Sequence, residues 1–392
     1  MTEPAEPAGA DAVGAATVGA SVSPRQPSLV AKACSALHWL LGWPAYLLLM
    51  VWYLRALSGT SPGLVMAGLV AIGPVYVAVV AVHEFGHWLV ARALGLRPLQ
   101  VRIARWTLQP RRVGVRMRVL PRGEGWDGYV VVHPKPGVTT EREWVALLLA
   151  GAGANLVAML VCGVWAGASD GAFSVLLNLF ALMNLQTAIS ALVPTAKPRP
   201  NDGLMAWQLM RGGRLSVPGD EFALLNARSV HGVTADQLPE HELAALGRQP
   251  APMPLFHDWL RLKAAQNRGD WAAAVALAPQ IERNEAAMPP AMRELLDGAS
   301  MALRVELAFS AAMLSRCPQP LETLPRGKGE LWELPHLPPR LQALKAALAG
   351  DVAGCERALE RSRRMADNSV DLSLRRSEKR LRAAVRAVLP AQ

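Results

Sequence analysis

Uncharged stretches dominate the first half of the chain, and polar ones dominate the second. Four runs carry no Asp, Glu, Lys or Arg: residues 33–54, 56–82, 144–169 and 171–196. Each is long enough to cross the apolar core of a bilayer as a helix. Trp39, Trp43, Trp52 and Tyr53 lie toward the ends or wide face of the first run, where aromatic residues anchor a helix at the interface. Spans are expected at about residues 33–57, 64–94, 144–168 and 172–194, with a kink in the second at Pro74. Between the second and third spans the period changes. Leu99, Val101 and Ile103 alternate with other residues, as do Val113, Val115, Met117 and Val119. A period of two marks half-buried strands. A turn is predicted at Gln109-Pro110-Arg111 between these strands, and a third short strand at Tyr129 to Val132.

From about residue 203 onward the pattern is helical and soluble. Gly269-Asp270 and Gly350-Asp351 each interrupt two Ala-rich segments, the outline of a helical hairpin. Arg357 to Arg386 is basic and amphipathic, and reads as a solvated helix face ahead of a lipid-touching one. The expected fold is mainly α. It is a polytopic membrane protein of about four transmembrane helices with a small membrane-associated β-hairpin sheet, followed by a C-terminal soluble helical domain with hints of a repeat. The boundaries are a disordered tail at 1–28, a membrane core at 29–203 with its β region at 97–133, and a cytoplasmic helical domain at 204–392. The tail is rich in Ala, Gly, Pro, Ser and Thr and lacks the basic start and apolar block of a signal peptide.

Composition supports a chain that is part membrane, part soluble: 52% of its 392 residues are hydrophobic. The net charge of +10 is concentrated in one place. Residues 92–142 hold eleven Lys and Arg against three acids, a net of +8. Charge gathered in one loop beside the membrane points to anionic lipid, so no nucleic-acid partner is expected. By the positive-inside rule this loop and both termini are cytoplasmic, and a bacterial cytoplasmic membrane is the expected location. Arg116 and Arg118 read equally well as a solvated strand face near lipid and as substrate contacts. Cys34, Cys162, Cys317 and Cys355 are scattered, forming neither a disulfide framework nor a thiolate metal site.

The chemistry gathers at the end of the second span, in His83-Glu84-Phe85-Gly86-His87. Positions four apart share one face of a helix, so both imidazoles can address one zinc ion while Glu84 reaches its water. Ionisable groups in a membrane helix are costly and usually functional. A catalytic zinc needs a third protein ligand and an open position. Asp202 follows Pro194, Pro198 and Pro200 just past the fourth span, on the same side as His87, which makes it the candidate ahead of a plain helix cap. His38, near the start of the first span, reads as interfacial.

This arrangement resembles the site-2 protease family of intramembrane zinc metalloproteases over about residues 36–210. The likeness rests on the two histidines and Glu84 in a span, on Asp202-Gly203 after a later one, on Gly151-Ala152-Gly153-Ala154-Asn155, and on Gly128-Tyr129-Val130 in the β region. The resemblance implies one zinc held by His83, His87 and Asp202, with Glu84 as general base and Asn155 as a polar residue near the site. It also implies hydrolysis of a peptide bond in or near a transmembrane segment of another membrane protein. Ala191 stands where the family pattern has Asn, Ala152 stands where it has Pro, and three extra residues precede Asp202. Asn184, one helical face back, is placed either to supply the missing polar group or to bond between helices. Two other readings share the ligands: an inactive membrane scaffold that recruits a cytoplasmic protein through its helical tail, and, less expected, a metal transporter.

Overall fold

A computed structural model describes residues 47, 51, 53, 61–120, 128–133, 141–195, 201–211, 220–324 and 331–390. The expected span at 33–57, apart from residues 47, 51 and 53, lies outside these residues, as do His38 and the 1–28 tail. Among the described residues, three helices are long and apolar enough to cross a membrane. They are α1 (Pro62–Ala93), α2 (Glu141–Gly167) and α3 (Gly171–Leu192). Pro62 opens α1 at a position that needs no N–H, and α1 runs on through Pro74. It stops just before Gly95, whose φ of 74° an L side chain would resist. α1 and α3 bury a common seam that includes Val75, Val79, Val175, Leu179 and Leu182, and α2 packs against both helices. Their outer faces leave Met66, Val70, Val157, Leu160, Val164 and Phe173 exposed, as lipid-facing helices do.

The β region forms one antiparallel sheet. Its strands are β1 (Arg97–Ile103), β2 (Trp106–Pro110), β3 (Val115–Val119) and β4 (Gly128–His133), in the order β3-β2-β1-β4. Four strands form where three were expected, because the chain turns earlier than predicted. Ala104 takes a positive φ of 51° and reverses β1, so Gln109 and Pro110 belong to β2. The β2–β3 turn falls instead at residues 111–114. There the Arg111 N–H reaches the Gly114 carbonyl and Gly114 has a φ of 81°. The alternation in β3 is as predicted, but its apolar side faces outward. Val115, Met117 and Val119 are each more than half exposed. The basic side turns inward, with Arg116 and Arg118 over the Trp332 ring at 4.9 and 6.0 Å. A guanidinium on an aromatic face keeps favourable contact where water is scarce. Neither of the two roles expected for these arginines foresaw that packing.

After β4 and the two spans that follow it, α4 (Asp202–Met210) packs on α2 through Leu148, Ala206 and Leu209. The described residues that follow form helices: α5 (Asp220–Val230), α6 (Glu240–Gly247), α7 (Met253–Arg268), α8 (Trp271–Val275), α9 (Ala278–Ala287), α10 (Pro290–Leu295), α11 (Asp297–Ser315), α12 (Gln319–Glu322), α13 (Leu337–Leu348), α14 (Val352–Asp367) and α15 (Leu372–Arg386). Two main apolar clusters hold them, one around Leu246, Met253, Leu262 and Leu303, the other around Phe309, Leu344, Cys355 and Leu381. The Gly-Asp breaks behave as their composition suggests. Gly269 and Gly350 both take φ 73°, and Asp270 and Asp351 cap the helices that follow. This array also holds the sheet. Asn368 accepts from Val113 N at 2.8 Å and donates to the Val113 carbonyl at 3.2 Å, while Arg97 donates to the Val370 carbonyl at 3.2 Å.

Candidate metal centre

The last third of α1 presents His83 and His87 on one face toward α2. Gly86 lets the two helices approach closely, since a Cβ there would meet the Ala150 carbonyl and the Ala154 methyl. Small residues at such crossings are how membrane helices pack without a hydrophobic driving force between them. On α2 the facing residues recur every four positions: Leu147, Gly151 and Asn155. Each serves the histidines differently. The Leu147 carbonyl accepts from His87 Nδ1 at 2.7 Å. Asn155 Oδ1 accepts from His83 Nδ1 at 2.7 Å. Gly151 lies beneath both rings, where a Cβ would strike both Nε2 atoms.

These contacts fix the tautomers. A carbonyl can only accept, so His87 Nδ1 carries the proton and its Nε2 presents a lone pair. The Asn155 amide is oriented by its own neighbours. Its Nδ2 donates to Asn184 Oδ1 at 2.7 Å and to the Val79 carbonyl at 3.3 Å. Asn184 in turn donates to the Phe180 carbonyl at 2.8 Å. The acceptor end of Asn155 is therefore the end facing His83, and His83 Nε2 also presents a lone pair. Asn184 makes the bond between helices that was one of its two expected roles, and through it orients the residue behind a histidine.

The two Nε2 atoms stand 3.1 Å apart, and Asp202 Oδ2 lies 3.2 and 3.3 Å from them. Two imidazole nitrogens and a carboxylate oxygen thus converge on one point. Tetrahedral ligands about 2.0–2.1 Å from zinc stand roughly 3.3 Å from one another, so these three donors fit three corners of such a site. Among the described residues, this is the one group of His, Cys, Asp or Glu donors close enough to share a metal ion. The donor set alone does not single out zinc among divalent metals.

Glu84 is buried, and its carboxyl packs against Gly128 at the start of β4, where a Cβ would run into it. The sheet therefore meets the site through β4, which pairs with β1 along one side. The sequence pointed to His83, Glu84, His87, Asp202, Asn155 and Asn184. It did not reveal that the Leu147 main chain would be a partner, nor that Gly151 and Gly128 would be spacers. Recurrence of Gly151 and Asn155 at a spacing of four in an apolar helix was the one available signal for the α2 stripe. Compared with protein-family models, curated proteins and solved structures, the chain matches none.

Proposed function

We propose that the chain is an intramembrane zinc metallopeptidase that hydrolyses peptide bonds in or near transmembrane segments of membrane-protein substrates. The observation that carries this reading is the convergence of His83 Nε2, His87 Nε2 and Asp202 Oδ2 at 3.1–3.3 Å, with both ring tautomers set to offer lone pairs. Bound zinc would supply a Lewis acid that polarises the scissile carbonyl and lowers the pKa of the attacking water. His83, His87 and Asp202 would hold that ion. Glu84 takes the proton of the water and delivers it to the departing amine. The substrate must be unwound for its carbonyl to be reached, and the side of β4 away from β1 offers backbone groups to an extended strand. Three apolar helices support the membrane setting. A fourth span at 33–57, cytoplasmic termini and a cytoplasmic protein partner for the helical array complete the proposal.

The test is Glu84→Gln in the full chain, assayed in proteoliposomes on a reporter carrying a transmembrane segment. Wild type is expected to hold about one zinc per chain and to cleave. The variant is expected to hold the same zinc and not to cleave. Hydrolysis retained by the variant removes Glu84 from the reaction. Wild type with less than about half a zinc per chain would favour the inactive scaffold instead.

A further inference from the structure

Asp202 is the one donor of the set that α1 does not carry. Its carboxylate stands at the start of α4, and what fixes that start is the residue before it. Asn201 caps α4, its Oδ1 accepting from Leu204 N at 3.0 Å. The same oxygen accepts from Thr195 N at 3.0 Å. Its Nδ2 donates to two carbonyls at the end of α3, Ser190 at 2.8 Å and Val193 at 2.7 Å. Its main-chain N–H donates to the Thr195 carbonyl at 3.1 Å. A primary amide has two protons and two lone pairs, and all four are in use.

The Ser190 bond explains why an amide is needed. In a helix the Ser190 carbonyl would accept from the N–H four residues on, and that residue is Pro194, which has none. Asn201 supplies the missing donor from the start of α4. Gly203, on the other side of Asp202, presses the two helices together: a Cβ there would strike the carbonyl oxygens of Leu192 and Ala191. Ala191 itself brings no polar side chain to this junction.

We propose that Asn201 is a positioning residue, clamping α4 onto the end of α3 and so setting the distance of the Asp202 carboxylate from the two imidazoles. This rests on the metal-site reading above. A plain helix cap would need the Leu204 bond alone, and a serine can make that bond. The clamp needs the two donated bonds, which serine cannot make to both carbonyls.

The experiment compares wild type, Asn201→Ala and Asn201→Ser as full chains in detergent. Cobalt and zinc dissociation constants are measured by chelator competition, the cobalt absorption bands are recorded, and thermal unfolding is followed on the same samples. Both variants are expected to bind either metal about 10–100-fold more weakly, the range for lost support behind a ligand. They should also show altered cobalt bands, and Asn201→Ser should melt close to wild type. Wild-type affinity in Asn201→Ser reduces Asn201 to a cap and overturns the proposal. So does a loss of affinity that merely tracks a general fall in melting temperature. Failure of wild type itself to take up cobalt or zinc refutes the metal site, an outcome distinct from failure of the clamp.

Discussion

Gly151 carries no side chain, and the geometry of the centre depends on that. Its Cα faces the point where the two Nε2 atoms meet, so a single methyl there competes with both rings. The rings cannot both retreat, because His83 is tied to Asn155 and His87 to Leu147. Displacing a ligand by more than about 0.5 Å takes a site out of productive geometry. Gly151→Ala is therefore expected to lower zinc affinity by at least about tenfold, while α2 stays helical because alanine favours a helix over glycine. Zinc per chain after dialysis against a buffered chelator reads the first effect and circular dichroism the second. At this scale the sequence was readable where helical spacing decides the outcome, as for His83 and His87. Asp202 was reachable too, since the prolines before it fix where the apolar helix that closes at Leu192 must end. The Leu147 partner was not, because a main-chain carbonyl is the same at every residue. The Asn201 clamp escaped for a different reason: its four partners are backbone groups that come together only once α3 and α4 have met.

Among the elements, β3 separates what periodicity tells from what it leaves open. Alternation fixes that Val115, Met117 and Val119 share a side, but not which side meets the rest of the protein. That was decided by Trp332, more than two hundred residues away, whose ring receives Arg116 and Arg118. The outward apolar row is left exposed rather than packed into a core. Helix breaks were more legible, because their determinants are local. At Gly350 the chain needs a left-handed turn, and one residue later Asp351 Oδ1 accepts from Gly354 N at 2.8 Å. Replacing such a cap by alanine typically costs about 1 kcal/mol. Asp351→Ala should therefore lower the unfolding free energy of the chain by about that amount, with no change in zinc content, as measured by urea titration. A drop no larger than that of an exposed alanine substitution elsewhere on α14 would mean that the cap contributes nothing.

At the scale of the whole molecule, the helical array is drawn together by a set of charges that water does not reach. Lys263 on α7 donates to Glu306 on α11 at 2.9 Å. Arg340 on α13, fully buried, forks between Glu306 and Glu378 on α15 and lies 4.3 Å from the Phe309 ring. Four helices from distant parts of the sequence thus share one ionic cluster, and hydrophobic patterning alone could not have foretold it. His336 sits at its edge, 3.5 Å from Glu378. Burial pushes the His336 imidazole down to about 4. Burial pulls Glu306 the other way, but Arg340 and Lys263 overcome it and hold Glu306 at about 2. The signs of both effects agree. Between its ordinary pKa of 6.5 and about 4, His336 takes up a proton in the unfolded chain but not in the folded one, so acid favours unfolding across that window. Glu306 adds to this lower down, from its ordinary 4.5 toward about 2. Lowering the pH from 7 to 5 crosses the histidine window only. It should remove about 2 kcal/mol of stability through His336, a fall in melting temperature of roughly 4–8 °C for an array of this size. His336→Gln has no proton to gain and should remove its own share of that slope, leaving the share of His133 on β4, which burial also holds at about 4, while its amide can still donate to Glu378. Melting curves of the two proteins at pH 7, 6 and 5 decide the matter. Parallel curves would place the acid sensitivity in some group other than His336.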